Sequence, residues 1–155
     1  MATAWRIASP AFAAQILSGI GAARFPGRWN QKGEQLIYSA GTQALALLER
    51  LVYMIGPYPE MTLGAIVVPN RCIEYLDADE SEARVLVADR KTSQALGSEW
   101  ISSQRSAVLA VPSVHIHPAC WPEEPNFLIN PLHPDFSKVR LEKHFTFNYD
   151  RRLEK

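Results

Sequence analysis

The recurrence and alternation of apolar positions along the chain predict short helices interleaved with short strands. After Ser9-Pro10, Phe12, Ile16 and Ile20 recur at four-residue spacing, so Ala11 to Ile20 reads as a first short helix stopped by Gly19 and Gly21. A segment rich in turn formers follows, from Arg24 to Gly33. Gln35 to Ser39 reads as a short strand, Gly41-Thr42 as a break carrying a candidate N-cap, and Gln43 to Met54 as a helix of good formers. Leu63 to Val68, Cys72 to Leu76 and Val85 to Ala88 have the β-branched content and alternation of strands. Ser93 to Ser102 fits a helix, Val108 to Val111 a strand ending in Pro112-Ser113, and Val114 to Ile116 its continuation past a kink. Phe145, Phe147 and Tyr149 alternate with Thr146 and Asn148, the period of a half-buried strand.

This order predicts an α+β domain built mainly of short antiparallel strands with a few helices. Most strand candidates lie in the second half without long helices between them, which disfavours a doubly wound parallel sheet. Neither GxGxxG nor GxxxxGK[ST] occurs, so a bound nucleotide must be held by side chains. A chain of 155 residues fits one domain, 1–155, and 47% hydrophobic residues suffice for its core. The 16 Lys+Arg and 16 Asp+Glu cancel, which disfavours direct binding of nucleic acid through its phosphates. Cys72 and Cys120 lack a CxxC partner and form neither a disulfide framework nor a metal knuckle, as suits a reducing cytoplasm. Ser9, Pro10, Gln15, Ser18, Gly19 and Gly21 interrupt the uncharged stretch from Ile7 to Ala23, so it reads as neither a signal peptide nor a membrane span.

The helix from Ala44 to Met54 is apolar nearly all round, the pattern of a helix enclosed by protein. Glu49 shares a stripe with Leu45 and Val52, which points its carboxylate along the core edge. Such a carboxylate either sits in a structural salt bridge with Arg28 or Arg50, or serves catalysis at a cleft. Arg28 lies in the turn Pro26-Gly27-Arg28-Trp29-Asn30, either as a solvated loop residue or as a planar clamp for phosphate or carboxylate. Tyr38 ends a strand, where core packing competes with a stacking role. Ser113 follows Pro112 with no GxSxG elbow around it, so a nucleophilic hydrolase serine is rejected. His115 and His117 alternate near Cys120, but without a third ligand at useful spacing they read as structural or surface residues, and no metal is expected.

Taken in order, these residues resemble the RES-domain family, the toxin halves of bacterial type II toxin–antitoxin pairs, named for Arg, Glu and Ser positions. The resemblance begins at Trp5-Arg6-Ile7 and continues through Gly27-Arg28-Trp29-Asn30, Gly33, Leu36-Ile37-Tyr38 and Ala44-Leu45-Ala46-Leu47-Leu48-Glu49. It resumes at Val111-Pro112-Ser113, passes through Asn126-Phe127-Leu128-Ile129-Asn130-Pro131 and His133-Pro134, and ends in Phe147-Asn148-Tyr149-Asp150-Arg151-Arg152-Leu153. Two departures are Phe25-Pro26, where the family commonly has small residues, and Tyr53-Met54, where a histidine is frequent.

The resemblance implies a fold similar to ADP-ribosyltransferases and a toxin that consumes NAD⁺ as substrate, with no separate cofactor. It implies that Arg28, Tyr38, Glu49 and Ser113 form the active site and that Arg6 is the N-terminal basic position. Cleaving the nicotinamide–ribose bond passes through an oxocarbenium-like ribose that a fixed carboxylate stabilises. On this reading Glu49 faces the ribose, Arg28 and Arg6 clamp the pyrophosphate, Tyr38 stacks on nicotinamide, and Ser113 bonds the ribose or nicotinamide end. The products follow from hydrolysis or phosphorolysis; the alternatives are ADP-ribosylation of a cellular protein and a catalytically silent antitoxin-binding co-repressor. A toxin that cuts RNA is disfavoured by the charge balance. The implied partner is an Xre-type antitoxin, in an oligomer through which alone DNA is reached, with no membrane partner.

Overall fold

A computed structural model describes residues 1–154 and their side chains except that of Phe12; Lys155 and the Phe12 member of the first predicted stripe lie outside the described residues. In chain order the elements are β1 (Ala2–Ala8), α1 (Ile20–Arg24), β2 (Ile37–Ala40), α2 (Gln43–Leu51), β3 (Met61–Val68), β4 (Ile73–Tyr75), α3 (Glu80–Ala88), α4 (Arg90–Ser103), β5 (Val108–Val111), β6 (Asn126–Ile129) and β7 (Arg140–Phe147). The strands form one seven-stranded sheet in the order β4-β5-β6-β2-β1-β3-β7. Every neighbouring pair is antiparallel except β4 with β5, so the expected α+β architecture holds, with one parallel pair at an edge.

The sheet has a narrow seam. β1 runs along β3 through seven registered pairs and β2 along β6 through four, whereas β1 meets β2 in one, Trp5 with Ala40. Two half-sheets, β4-β5-β6-β2 and β1-β3-β7, therefore diverge from a single join. Next to the joining residue Trp5, Arg6 holds the segment 16–19 on one face of the sheet: its Nη1 donates to the carbonyls of Ile16 and Ser18 at 2.6 and 3.2 Å.

Strand alternation sends side chains to two faces. On one, Leu45 and Ala46 of α2 pack with Ala40 and Leu63, and Leu86 and Trp100 of α3 and α4 pack with Leu109, Val111 and Leu128. On the other, Ala4, Ile37, Ile66, Val108 and Phe127 pack against Leu17, Trp121 and Phe136 from short irregular segments. The helical face carries the residues discussed next, apart from Arg6. No described helix is long and apolar enough to cross a membrane.

Several elements differ from the sequence pattern. Val85 to Ala88, expected as a strand, lies in α3, because a reciprocal capping box between Asp79 and Glu82 starts a helix whose Ala83 and Leu86 face inward. The expected helix from Ala11 to Ile20 is a 3-10 segment, Pro10–Gln15, followed by the separate α1. Val114 to Ile116 does not continue β5: the Ser113 hydroxyl accepts the His115 N–H at 3.0 Å and turns the chain. α2 begins at the expected Thr42 N-cap but stops at Leu51, and it is buried on one face only, with Leu48, Val52 and Tyr53 at 44%, 59% and 79% exposure. β7 ends at Phe147, before Tyr149, while Ala2–Ala8 and Asn126–Ile129 are strands that alternation alone left unassigned.

Candidate active site

Glu49 sits on the α2 stripe that Leu45 anchors in the core, one turn beyond it. This position carries the carboxylate to the ends of β5 and β6. There its Oε1 accepts from Ser113 Oγ at 2.7 Å and from Asn126 Nδ2 at 2.5 Å. Asn126 reaches it because the register pairs Asn126 with Ala40 on one side and Val111 on the other, placing its amide on the helical face. The second oxygen, Oε2, is faced by His115 Nε2 at 3.6 Å, and the Glu49 side chain keeps 30% exposure. The structural salt bridge considered for Glu49 is overturned: neither Arg28 nor Arg50 pairs with it, and no Lys or Arg lies within ion-pair distance of it among the described residues. Two neutral donors therefore orient this carboxylate and leave its charge in place.

Ser113 is buried, and both capacities of its hydroxyl are used: the hydrogen goes to Glu49 while the oxygen accepts the His115 N–H. In this arrangement it acts on the carboxylate.

The Arg28 turn is built separately and rigidly. The buried Asn30 amide accepts the Gly27 N–H at 2.8 Å and donates to the carbonyls of Ala22, Gln31 and Glu34 at 2.9, 3.1 and 3.0 Å. Tyr38 from β2 closes the turn, its hydroxyl accepting the Trp29 N–H at 3.0 Å and donating to Asn30 Oδ1 at 2.7 Å. A Cβ on Gly27 would lie 2.6 Å from that hydroxyl, so glycine is needed for the close approach. From α4, Gln94 donates to the carbonyls of Gly27 and Asn30 at 3.0 and 3.1 Å, and Arg90 to that of Pro26 at 2.7 Å. All of this scaffolding leaves Arg28 Nη1 buried without a protein partner. A guanidinium nitrogen desolvated and unpaired is poised for an anion.

Burial pushes the Tyr38 hydroxyl well above the usual tyrosine range, opposed in lesser degree by the Trp29 N–H. The phenol is thus neutral and committed to the turn, and its ring, part-buried on the helical face two register positions from Asn126, is what remains to meet a ligand. Arg6 is not joined to this group: alternation puts it with Ala4 on the opposite face, its Nη1 on the Ile16 and Ser18 carbonyls. Burial, with the repulsion of Arg50, pushes its guanidinium down to about 10.

Five residues were expected to act together. The structure brings Glu49 and Ser113 into contact, sets Tyr38 of β2 against the turn that carries Arg28, and leaves Arg6 on the opposite face. Sequence reasoning missed Asn126 and His115 as neighbours of Glu49. The signal for Asn126 was a lone amide at the head of the apolar run Phe127-Leu128-Ile129; His115 was set aside once no metal pattern emerged. No group of three or more metal-ligating side chains occurs among the described residues.

Known proteins match this chain over nearly all of its length. The RES domain matches residues 3–150. The "Prs ADP-ribosylating toxin" of Sphingobium sp. (strain YBL2) is 36% identical, over 96% of this chain and 94% of its own. A "Toxin Res" of Photorhabdus laumondii is 34% identical over 97% and 96%, respectively. In fold, the chain is similar to one in the crystal structure of the M. tuberculosis MbcT–MbcA toxin–antitoxin complex, with a TM-score of 0.72 at 18% identity over 95% of this chain and 84% of that one. With the Arg28 turn, the Glu49 helix and Ser113 all inside the matched span, the chain belongs to the RES domain family.

Proposed function

We propose that this chain is the toxin of a toxin–antitoxin pair and that it breaks the nicotinamide–ribose bond of NAD⁺. The observation that carries this reading is Glu49, a carboxylate fixed by Ser113 and Asn126, partly open, and left un-neutralised by any nearby Lys or Arg among the described residues. When the bond breaks, its electron pair leaves with neutral nicotinamide and positive charge develops on the ribose carbon. A preoriented anion stabilises that charge. Because the leaving group departs neutral, no general acid is required.

Arg28 supplies its unpaired Nη1 to the anionic diphosphate, while Arg6, on the opposite face and bonded to the Ile16 and Ser18 carbonyls, takes no part. The Tyr38 ring offers a face to nicotinamide, and Ser113 acts by holding Glu49. The acceptor of the ADP-ribosyl group is water or inorganic phosphate, which depletes NAD⁺. A second reading, transfer to a protein, is favoured by the printed name of the Sphingobium relative. The fold neighbour is part of a toxin–antitoxin complex, which supports an antitoxin partner; we assign that partner to the Xre type and the site of action to the cytoplasm.

Proton NMR of the purified chain with NAD⁺ tests the reading, first without and then with phosphate, beside Glu49→Gln. Nicotinamide release by wild type and not by E49Q is expected. Acceleration by phosphate with a phosphorylated ADP-ribose product identifies phosphorolysis, and NAD⁺-dependent labelling of a protein in cell extract identifies transfer. Folded, antitoxin-free wild type that does neither sinks the enzyme reading and leaves the antitoxin-binding module.

A further inference from the structure

We infer that His115 is a positioning residue for Glu49, donating through Nε2 to the carboxylate oxygen that Ser113 and Asn126 leave free; this rests on Glu49 being the working carboxylate. Three observations converge. Nε2 is buried and has no hydrogen-bond partner within normal distance. The polar atom it faces is Glu49 Oε2, 3.6 Å away. The backbone of His115 is tied to the same group, because its N–H donates to the Ser113 hydroxyl, which in turn donates to Glu49 Oε1. Ser113 Oγ, the Glu49 carboxylate, the imidazole and the His115 backbone thus form a ring that lacks one bond to close.

Chemistry fixes the direction of that bond. A carboxylate oxygen accepts only, so Nε2 must carry the hydrogen. At 3.6 Å the contact is too long for a hydrogen bond, but such contacts in unliganded sites tighten when substrate arrives. In its neutral form an imidazole is suited to the task in a way that the permanently charged Lys or Arg is not. It orients Oε2 without cancelling the negative charge that the developing oxocarbenium needs. With Oε1 fixed by two donors and Oε2 by one, the carboxylate plane has no free rotation left.

The test compares His115→Phe, which keeps an aromatic ring but removes the donor, with His115→Gln, whose amide restores an N–H near the Nε2 position. For nicotinamide release from NAD⁺, H115F is expected to lose about tenfold in kcat with KM changed less than about twofold, and H115Q to recover most of that loss. Loss in KM alone, an unaffected H115F, or an H115Q as impaired as H115F overturns the assignment. A second readout needs no activity: imidazole nitrogen NMR should show His115 in the Nε2–H tautomer in wild type and a mixture of tautomers in Glu49→Ala. An Nδ1–H tautomer in wild type, or the same spectrum in both proteins, also overturns it. If wild type leaves NAD⁺ intact, the proposed function fails while the tautomer result still decides whether His115 orients Glu49.

Discussion

Glu49 is held by donors that leave its charge intact, and this determines what each nearby substitution does. Glu49→Gln keeps an acceptor oxygen for Ser113 and Asn126, so the folded protein should survive with a melting temperature close to wild type. Its turnover should fall by about 100-fold or more, the scale of losing one preoriented electrostatic group. Ser113→Ala removes one donor and frees the carboxylate to rotate; a drop of about tenfold in kcat is expected, with the stability change read separately by urea denaturation. Tyr38 gives a prediction in pH. Its phenol is held in the neutral form by burial, so the folded chain retains a proton that the unfolded chain loses near its ordinary value. The stability contributed by Tyr38 is therefore complete below about pH 10 and is lost as pH rises above that, since the unfolded state then binds fewer protons. Urea midpoints of wild type and Tyr38→Phe should differ most at neutral pH and converge in alkali, and a pH-independent gap would contradict the burial of this hydroxyl.

At the scale of elements, α4 acts as the backing plate of the Arg28 turn. Gln94 and Arg90 bind the carbonyls of Pro26, Gly27 and Asn30, and Gly97 lets the Trp29 backbone lie directly on the helix. A methyl group at Gly97 would overlap the Trp29 carbonyl, so Gly97→Ala should destabilise by about 1–3 kcal/mol despite the higher helix propensity of alanine. If α4 sets the turn, the same variant should weaken NAD⁺ binding, seen as a raised KM, while a surface change on α4 such as Lys91→Ala leaves KM unchanged. α3 tests the capping argument: Asp79→Ala removes half of the reciprocal pair with Glu82 and should cost about 1 kcal/mol, read as a lower urea midpoint. The α3 signal was present in the sequence as Asp79 followed by Glu82, and the β-branched residues at Val85 and Val87 masked it. By contrast, no local pattern marks α4 as the support of a turn more than sixty positions earlier in the chain.

Over the whole molecule, the seam between the half-sheets is the mechanical feature that matters. β3 is laddered on both sides, to β1 and β7, and all eight of its residues are buried, whereas β1 and β2 share one registered pair. Hydrogen exchange should therefore be slowest in β3, and faster in 16–19 and in β1 where it parts from β2. If NAD⁺ is the substrate, adding it to the slowed Glu49→Gln protein should slow exchange at the Arg28 turn and around Glu49; protection confined to distant strands would place the ligand elsewhere. α2 and the turn that follows it also present Leu48, Val52 and Tyr53 to solvent, so the apolar character of this segment is only half spent on the core. The expectation of an enclosed helix failed here because hydrophobic composition says how much surface a helix would gain by burial, and the rest of the chain decides whether anything is there to bury it.

The sequence by itself determined the features that depend on near neighbours: the Thr42 cap and the start of α2, the apolar run of β3, the turn around Arg28, and the order of motifs that identifies a RES domain. These are readable because caps, turns and alternation involve residues a few positions apart. Tertiary structure alone decided what surrounds Glu49. Ser113 and Asn126 reach it across 64 and 77 residues, through the register of β5, β6 and β2 and the packing of α2 on the sheet, none of which leaves a local mark. For the same reason the choice between a salt-bridged and an open carboxylate could not be made from spacing. Spacing leaves both Arg28 and Arg50 open as partners of Glu49, and the fold adopted gives it neutral donors instead.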